Sequence, residues 1–233
     1  MGAADDRRGG LGVNGRWRGI TLWWSRSEGT RVVAAVSLRL PRRYVARGGT
    51  PVLTDVDPTI FTRRYYTYCL GCTFCHDHCC THGVDIDFET AHRIEARADD
   101  LERYLGIPRH RWFRSEVEVD LEFPGGGARR TRVANGRCVF HNRGGRGCRL
   151  HTYCIEHGLD HHELKSIVDC LFPLTFGEGV LSPAVEAEDG TLACLNTGPT
   201  LYRGARQEVE YYFGAGLVEA LDDLETVVLK EGK

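Results

Sequence analysis

Apolar positions recur at helical spacing in the stretch that follows Asp87. They lie three or four residues apart and therefore fall on one face of a helix: Ala91, Ile94, Ala98, Leu101 and Leu105. Asp87 is a residue type that caps helices, and Gly106 followed by Pro108 is typical of a helix end. The pattern predicts one helix between Asp87 and Gly106.

Two further helical patterns lie in the second half of the chain. The run Asp160-His161-His162-Glu163 matches a capping box and predicts a helix that continues to about Asp169. A C-terminal helix is predicted over residues 207–213, and an apolar stripe continues the pattern: Leu217, Leu221, Leu224 and Val228. We interpret this stripe as core packing.

Strands are predicted where apolar and polar residues alternate. Val117, Val119 and Leu121 alternate with acidic residues up to Phe123, which predicts a half-buried strand. The three glycines after it form a turn, and residues 130–133 return as the partner strand. The other segments are assigned from their β-branched and aromatic content: strands at 17–24 and 31–40, a loop at 42–58, and strand and turn at 172–195.

These elements together predict an α+β fold with short antiparallel strands and three to four helices. Glycine and charge dominate residues 1–16, and no apolar pattern repeats there, so this segment is predicted to be disordered. No linker is evident after it. Residues 17–233 are therefore expected to form a single domain.

Composition and charge exclude several classes of function. The formal net charge is −2, so we expect no bulk electrostatic attraction to nucleic acid or to an anionic membrane. No run approaches the roughly 18 apolar residues of a membrane span, and residues 1–18 lack the apolar stretch of a signal peptide. The chain is expected to be cytoplasmic, where disulfides are rare. Its ten cysteines therefore need another explanation.

The densest group of cysteines lies between residues 69 and 80. Cys69, Cys72, Cys75 and Cys79 have the spacing C-x2-C-x2-C-x3-C, which is that of the bacterial ferredoxin run, with Cys80 where ferredoxins carry proline. Adjacent side chains of an extended backbone point to opposite sides. Either one of Cys79 and Cys80 is a ligand and the other packs, or they serve two metals or two edges of one cluster. The segment 69–82 is therefore predicted to be a metal-binding loop.

The later cysteines are candidate partners of this loop. Cys138 and Cys148 flank a glycine-rich turn, and a hairpin there would bring the two thiols together. Cys170 follows the capped helix near its C-terminal end, and Cys194 lies at a strand end. Cys154 is the cysteine that we expect to be merely buried. The count allows two four-ligand sites with two cysteines to spare, or one site plus several buried thiols.

The histidines near these cysteines can be explained either as metal ligands or as residues that bind no metal. His76, His78 and His82 interleave with the loop cysteines and can ligate a metal or carry protons. We interpret them as exposed loop residues or as hydrogen-bond donors to sulfur. His161 and His162 open the predicted helix and are expected to be solvated.

The cysteine spacing resembles that of the YkgJ-type cysteine cluster proteins, a zinc- or iron-chelating domain. The resemblance is carried by the run from Cys72 to Cys80, and then by Cys138-Val-Phe, Cys148-Arg-Leu-His and Cys170-Leu-Phe-Pro. It spans about residues 65–195 and is greatest to relatives of unknown function with a Cys-x-Phe-Pro ending.

This resemblance implies a bound metal, and it implies iron–sulfur oxidoreductase activity in some members. Two features depart from the family pattern, which is written C-x2-C-x2-C-C. Here Cys75 and Cys79 enclose three residues, and the interval from Cys148 to Cys170 is longer than in the shorter members. The departures concern the ligand set and leave the implied metal unaffected.

Three functional hypotheses follow. The first is an iron–sulfur protein with one or two clusters, of the 4Fe-4S type, which is an oxidoreductase or an accessory to one and meets a redox partner protein or a small-molecule substrate. The second is a structural zinc module, and the third is a metal-handling or metal-sensing protein. All three use the same candidate ligands: Cys69, Cys72, Cys75, Cys79, Cys80, Cys138, Cys148, Cys170 and Cys194.

Overall fold

The computed structural model of the protein describes residues 20–23, 35–67, 71, 73–188, 190 and 192–231. The N-terminal segment predicted to be disordered lies outside the described residues. Two of the predicted loop ligands, Cys69 and Cys72, also lie outside them. The other candidate ligands are all described.

The strands are short and mostly antiparallel. In chain order they are β1 Ile20–Trp23, β2 Ala35–Val45, β3 Val52–Val56, β4 Arg64–Tyr65, β5 Asp85–Asp87, β6 Phe113–Val119, β7 Gly127–Thr131, β8 Val133–Ala134, β9 Arg137–Cys138, β10 Leu174–Gly177, β11 Val180–Pro183 and β12 Leu195–Thr200. The largest sheet has the order β1-β2-β3-β11-β10, with a parallel pair between β3 and β11. A second sheet has the order β5-β7-β6, and two strand pairs, β12-β4 and β8-β9, complete the set among the described residues.

The helices confirm the α+β class. They are α1 Phe88–Ala96, α2 Ala98–Leu105, α3 Arg149–Glu156, α4 Ile167–Leu171, α5 Val185–Glu188, α6 Leu201–Phe213 and α7 Ala215–Glu231. The described residues thus contain seven α-helices, whereas three to four were predicted. The difference arises because predicted helices are divided and because short helices such as α5 carry little apolar periodicity.

Breaks in the helices occur where tertiary packing competes with the local pattern. The predicted helix after Asp87 divides at Arg97 into α1 and α2. The segment predicted to be a helix from Asp160 is a 3-10 turn at His161–Glu163. A new helix, α4, then begins after Ser166, whose hydroxyl accepts a hydrogen bond from the amide of Asp169. Leu164 between them is fully buried, so the chain turns inward at this point.

The prediction of a half-buried strand at 117–123 was wrong in its burial. Val117, Val119 and Leu121 are 56%, 77% and 80% exposed. Strand β6 does form and pairs with β7, but it lies at the edge of its sheet, and few elements cover it. The predicted loop at 42–58 was also wrong in part, because β2 extends to Val45 and β3 occupies Val52–Val56.

Two hydrophobic cores hold these elements together. The first lies between the five-stranded sheet and helices α6 and α7, and includes Leu53, Phe61 and Tyr202. The second surrounds Trp112 and Phe140 and is built from α1, α2 and α3. Full burial of each large apolar side chain contributes roughly 1.5–3 kcal/mol, so these two clusters are the main source of stability.

Helix α4 lies between the two cores. It contacts β5 on one side, and α6 and β10 on the other. The hydroxyl of Ser166, which precedes it, donates a hydrogen bond of 3.0 Å to the carbonyl oxygen of Asp85 in β5. The turn His161–Glu163 and Cys170 are therefore held at the junction of the cores.

Candidate metal centre

The loop that carries the first cysteines is attached to the hairpin that follows β9. Asp77 is 4% exposed, and its carboxylate lies 3.2 Å from Nε2 of His141 and 3.3 Å from Nη2 of Arg146. The same Arg146 nitrogen donates to Sγ of Cys75 at 3.3 Å. These contacts bring together four polar groups: the Cys75 sulfur, the buried carboxylate of Asp77, the imidazole of His141 and the guanidinium of Arg146.

The backbone of this loop is held in an unusual conformation. His76 and Asp77 have φ angles of 52° and 56°, a region that non-glycine residues seldom occupy. The guanidinium of Arg137 donates to the carbonyl oxygens of both residues, at 2.8 and 3.3 Å. These contacts from β9 stabilise the left-handed turn that leads into the pair Cys79 and Cys80.

Neighbouring cysteines of the loop differ in their surroundings. Cys75 is 6% exposed and belongs to the first core. Cys79 packs against that core, whereas Cys80 is half-buried and is not among the residues that pack against either core. The two adjacent cysteines are therefore in different environments, which fits the expectation that they do not act as equivalent ligands of one ion.

Loop histidines are exposed, as expected. His76, His78 and His82 all have exposed side chains. The rings of His78 and His82 stack with their centroids 6.2 Å apart. Among the described residues, the possible metal ligands that lie close together are His161, His162, Cys170 and Glu208, and none of the three loop histidines belongs to this group.

The hairpin between Cys138 and Cys148 forms as predicted. An isolated bridge pairs His141 with Cys148, and the Cys138 thiol lies 3.4 Å from the hydroxyl of Thr131. Burial, together with the negative charge of Asp169, raises the pKa of Cys148 to about 12.

A charged pair lies beside these thiols. Nζ of Lys165 is 3.3 Å from a carboxylate oxygen of Asp169. Burial opposes the charge on Lys165, but the charges of Asp169, Cys170 and Cys148 outweigh it and raise the lysine pKa. Burial also raises the pKa of Cys170 to about 12, although Lys165 opposes this shift.

Four side chains from three elements converge at the junction of the two cores. They are His161 and His162 in the turn, Cys170 in α4 and Glu208 in α6, and their ligand atoms all lie within 4.8 Å of one another. Among the described residues, this is the one group of three or more histidine, cysteine and acidic side chains that meets this distance. Cys170 is 8% exposed, and the His162 side chain is 11% exposed.

Both histidines face the carboxylate of Glu208. Nε2 of His162 lies 2.7 Å from Oε2, and Nε2 of His161 lies 3.2 Å from Oε1. The other ring nitrogen of His162, Nδ1, lies 2.5 Å from the carboxylate of Asp160. The His162 ring also stacks on Tyr211, with centroids 3.5 Å apart and planes within 8°.

The pKa values in this group reflect the close pairing of charges. Burial by itself would raise the pKa of Glu208, but hydrogen bonds from His161 and His162 and their charges lower it to about 2. Burial would likewise lower the pKa of His162, but Glu208 and Asp160 together raise it. Glu208 is therefore ionised, and the two carboxylates that face His162 favour protonation of its imidazole.

His151 differs from the histidines that it adjoins. Its ring centroid is 5.1 Å from that of His161. Burial, the charge of Lys165 and the charge of His161 lower the pKa of His151 to about 4. This imidazole is therefore neutral at physiological pH.

The expectation that His161 and His162 are solvated was wrong. Both side chains face Glu208 and lie close to Cys170, and the capping-box pattern gave no sign of these contacts. Glu208 was missed because nothing in the sequence near it indicates a site. The hydroxyl of Tyr212, one turn further along α6, is hydrogen-bonded to Cys170, and this contact was missed for the same reason.

The last two cysteines lie in the apolar cores. Cys154 is fully buried in the second core, which confirms that it is a packing residue. Cys194 is 3% exposed in the first core, and its carbonyl oxygen accepts a hydrogen bond from the amide of Tyr66 at 3.0 Å. Neither belongs to the group around Glu208.

A cavity of about 650 Å³ opens beside the hairpin. His141 lines it, and the same residue contacts Asp77 of the cysteine loop. Its lining is rich in hydrogen-bond donors: Arg111, Asn135, Asn142, Arg143 and Arg149. The His141 side chain thus lies between the cavity and the cysteine loop.

Comparisons with protein-family models, with curated proteins and with solved structures found no match for this chain. The resemblance in cysteine spacing to the YkgJ-type proteins stays a prediction. Within the part of the chain that the structure describes, no helix is both long enough and apolar enough to cross a membrane.

Proposed function

We propose that this protein binds an iron–sulfur cluster through its loop cysteines and is an oxidoreductase, or an accessory to one. The candidate ligands are Cys69, Cys72, Cys75 and Cys79, with Cys80 as the alternative fourth ligand. The ferredoxin-like spacing of these residues supports iron over a single zinc ion. A cluster of this kind supplies electron transfer or an iron that binds substrate.

The observation that carries the proposal is the contact between Arg146 and Cys75. Nη2 of Arg146 donates to Sγ at 3.3 Å, and the same nitrogen lies 3.3 Å from a carboxylate oxygen of Asp77. Hydrogen bonds to ligand sulfurs tune the reduction potential of iron–sulfur clusters, and outer partners that orient ligands support metal affinity. This arrangement suits a sulfur that carries negative charge.

The cavity next to the hairpin provides a place for a small-molecule substrate. Three arginines, Arg111, Arg143 and Arg149, line it against one acidic residue, Glu156, so an anionic substrate suits it best. His141 joins this cavity to the loop through Asp77. Substrate bound there lies one side chain away from the cysteine loop.

The test is elemental analysis of the full chain purified without oxygen, together with its visible spectrum. We expect iron and acid-labile sulfide in equal amounts, and a brown protein. One or two zinc ions with no sulfide would overturn the iron–sulfur proposal and favour a structural zinc module. A colourless protein without iron or zinc would overturn metal binding by the loop altogether.

Two alanine variants locate the ligands. Cys75→Ala is expected to lose iron and sulfide, because its thiol lies in the loop. The matched control is Cys154→Ala, whose thiol is fully buried in the second core. It removes a buried sulfur without touching the loop, so its iron content should equal that of the wild-type chain. Equal iron in both variants would contradict the ligand assignment.

A further inference from the structure

We propose that His161, His162, Cys170 and Glu208 form a second metal site, which binds a single divalent transition-metal ion. It is separate from the cysteine loop and uses a mixed set of nitrogen, sulfur and oxygen donors. The proposal does not depend on the iron–sulfur cluster. It assigns a ligand role to two histidines and to a glutamate that the cysteine pattern leaves out.

The spacing of the donor atoms suits a small ion. All four ligand atoms lie within 4.8 Å of one another, and the histidine nitrogens are already 2.7 and 3.2 Å from the carboxylate oxygens. Bonds of about 2.0–2.3 Å in a tetrahedral site place ligand atoms roughly 3.3–3.8 Å apart. Side-chain shifts of about an ångström, which separate the histidine nitrogens from the carboxylate oxygens and draw the more distant donors together, therefore suffice to form the site.

One ligand is already oriented as metal-bound histidines usually are. Nδ1 of His162 lies 2.5 Å from the carboxylate of Asp160, which leaves Nε2 directed at Glu208. A carboxylate that receives the outer N–H of a ligating imidazole fixes its tautomer and its ring orientation. The stacked ring of Tyr211 holds the imidazole plane in place.

The charge of the donor set matches a divalent ion. A thiolate from Cys170 and the carboxylate of Glu208 contribute two negative charges, and the two imidazoles are neutral ligands. The bound complex is then electrically neutral, which matters because Cys170 and His162 are shielded from water. Imidazole and thiolate donors select zinc and neighbouring transition metals over magnesium or calcium.

The competing explanation is a hydrogen-bonded ion pair that binds no metal. Such a pair accounts for the contacts of both histidines with Glu208. It does not require a sulfur atom, yet the Cys170 thiol from a different helix lies within the same 4.8 Å group. The convergence of three donor types from three elements favours the metal site.

The test is a titration of the chelator-treated full chain with Co²⁺, followed by visible and near-ultraviolet spectroscopy. The Glu208→Gln variant is expected to bind one Co²⁺ fewer per chain than the wild-type protein. Its affinity at this site should fall by more than the roughly 10- to 100-fold that loss of an outer-shell partner costs. The matched control is Glu210→Gln on the same helix, which should behave as wild type because its side chain is half-exposed and contacts Arg206 only at 3.9 Å.

Two further variants test whether Cys170 is a ligand and replace Glu208→Gln where that variant does not fold. Cys170→Ala should lose the sulfur-to-cobalt charge-transfer band of this site, whereas Cys154→Ala should retain it. Where circular dichroism shows that Glu208→Gln does not fold, His161→Gln takes its place, since His161 is 29% exposed.

Two outcomes would overturn the second site. One is an equal number of bound Co²⁺ in wild type and Glu208→Gln. The other is a joint loss of cobalt binding and of iron and sulfide in Glu208→Gln, since the site would then not be separate from the loop. Iron and sulfide are read from untreated samples of each variant. A wild-type chain without sulfide would refute the cluster and leave the second site standing.

Discussion

Nε2 of His141 lies 3.2 Å from the carboxylate of Asp77, and the two residues are 64 positions apart in the chain. Both side chains are almost completely buried, at 7% and 5% exposure. The contact joins the cysteine loop to the hairpin, and Arg146 reinforces it from a second direction. One buried carboxylate of the loop is therefore held by both an imidazole and a guanidinium of the hairpin.

Replacement of Asp77 should destabilise the protein strongly. Asp77→Ala leaves Nε2 of His141 without its hydrogen-bond partner and removes the carboxylate that faces Arg146, and leaving a buried polar group without its partner costs about 1–3 kcal/mol. We expect a decrease of this size in the free energy of unfolding, measured by urea denaturation. Asp99→Ala is the control, because that side chain is 84% exposed. Equal unfolding free energies for the two variants would refute the role of Asp77.

The metal-free protein should show thiols of very different reactivity. Cys148 and Cys170 have pKa values raised to about 12 by burial, so their thiolate fraction at pH 8 is very small. Cys80 and Cys148 are both half-buried, and Cys170 is buried. Cys80 should react with iodoacetamide first, because so little of the Cys148 and Cys170 thiols is ionised. Peptide mass spectrometry after timed alkylation measures this order. Alkylation of Cys148 or Cys170 as fast as Cys80 would contradict it.

The pairing of α6 with α7 should make stability depend on pH in the acid range. Hydrogen bonds from Arg206 and, against the effect of burial, from Tyr202 lower the pKa of Asp222. The stability that this carboxylate contributes is present above its unfolded pKa of about 3.9 and is lost as the pH falls through the lower folded pKa. Asp222→Asn should therefore be about 1 kcal/mol less stable at pH 7, and the difference should shrink below pH ~4.

Urea denaturation at pH 7 and at pH 3 measures this difference. The control is Asp223→Asn, an exposed neighbour on the same helix, which should match wild type at both values. A difference between Asp222→Asn and wild type that stays constant from pH 7 to pH 3 would exclude the linkage.

Asp160, the outer partner of His162 in the proposed second metal site, should affect metal affinity without affecting the fold. Asparagine caps a helix or turn as well as aspartate does, so Asp160→Asn should keep the turn His161–Glu163 intact. It removes the negative charge that faces Nδ1 of His162. We expect Co²⁺ affinity to fall by about 10- to 100-fold, measured by the same titration. Glu163→Gln in the same turn should bind as wild type does, and an equal affinity in Asp160→Asn would refute the positioning role.

Features that depend on neighbouring residues could be predicted from the sequence. Asp87 caps α1 through the amide of Thr90, and Gly106 ends α2 with a φ of 65°, both as predicted. The hairpin between Cys138 and Cys148 and the burial of Cys154 were also predicted correctly. Capping and turn geometry are determined within a few residues, and so the local sequence is sufficient for them.

Features that depend on distant packing could not be predicted in this way. The apolar face of β6 is exposed because the strand lies at a sheet edge, a position that alternation in the sequence does not reveal. The ten cysteines indicated metal chemistry by their number and spacing. They did not indicate which of them would share a site with histidine or carboxylate.

The sequence by itself determined the fold class, the start of α1 at Asp87, the end of α2 at Gly106 and the candidate thiols, because these follow from local pattern and residue type. The tertiary structure alone decided which side chains meet. Glu208 is 46 residues from His162 along the chain. The two come into contact because α4 packs between the two cores and brings α6 against the turn that carries both histidines.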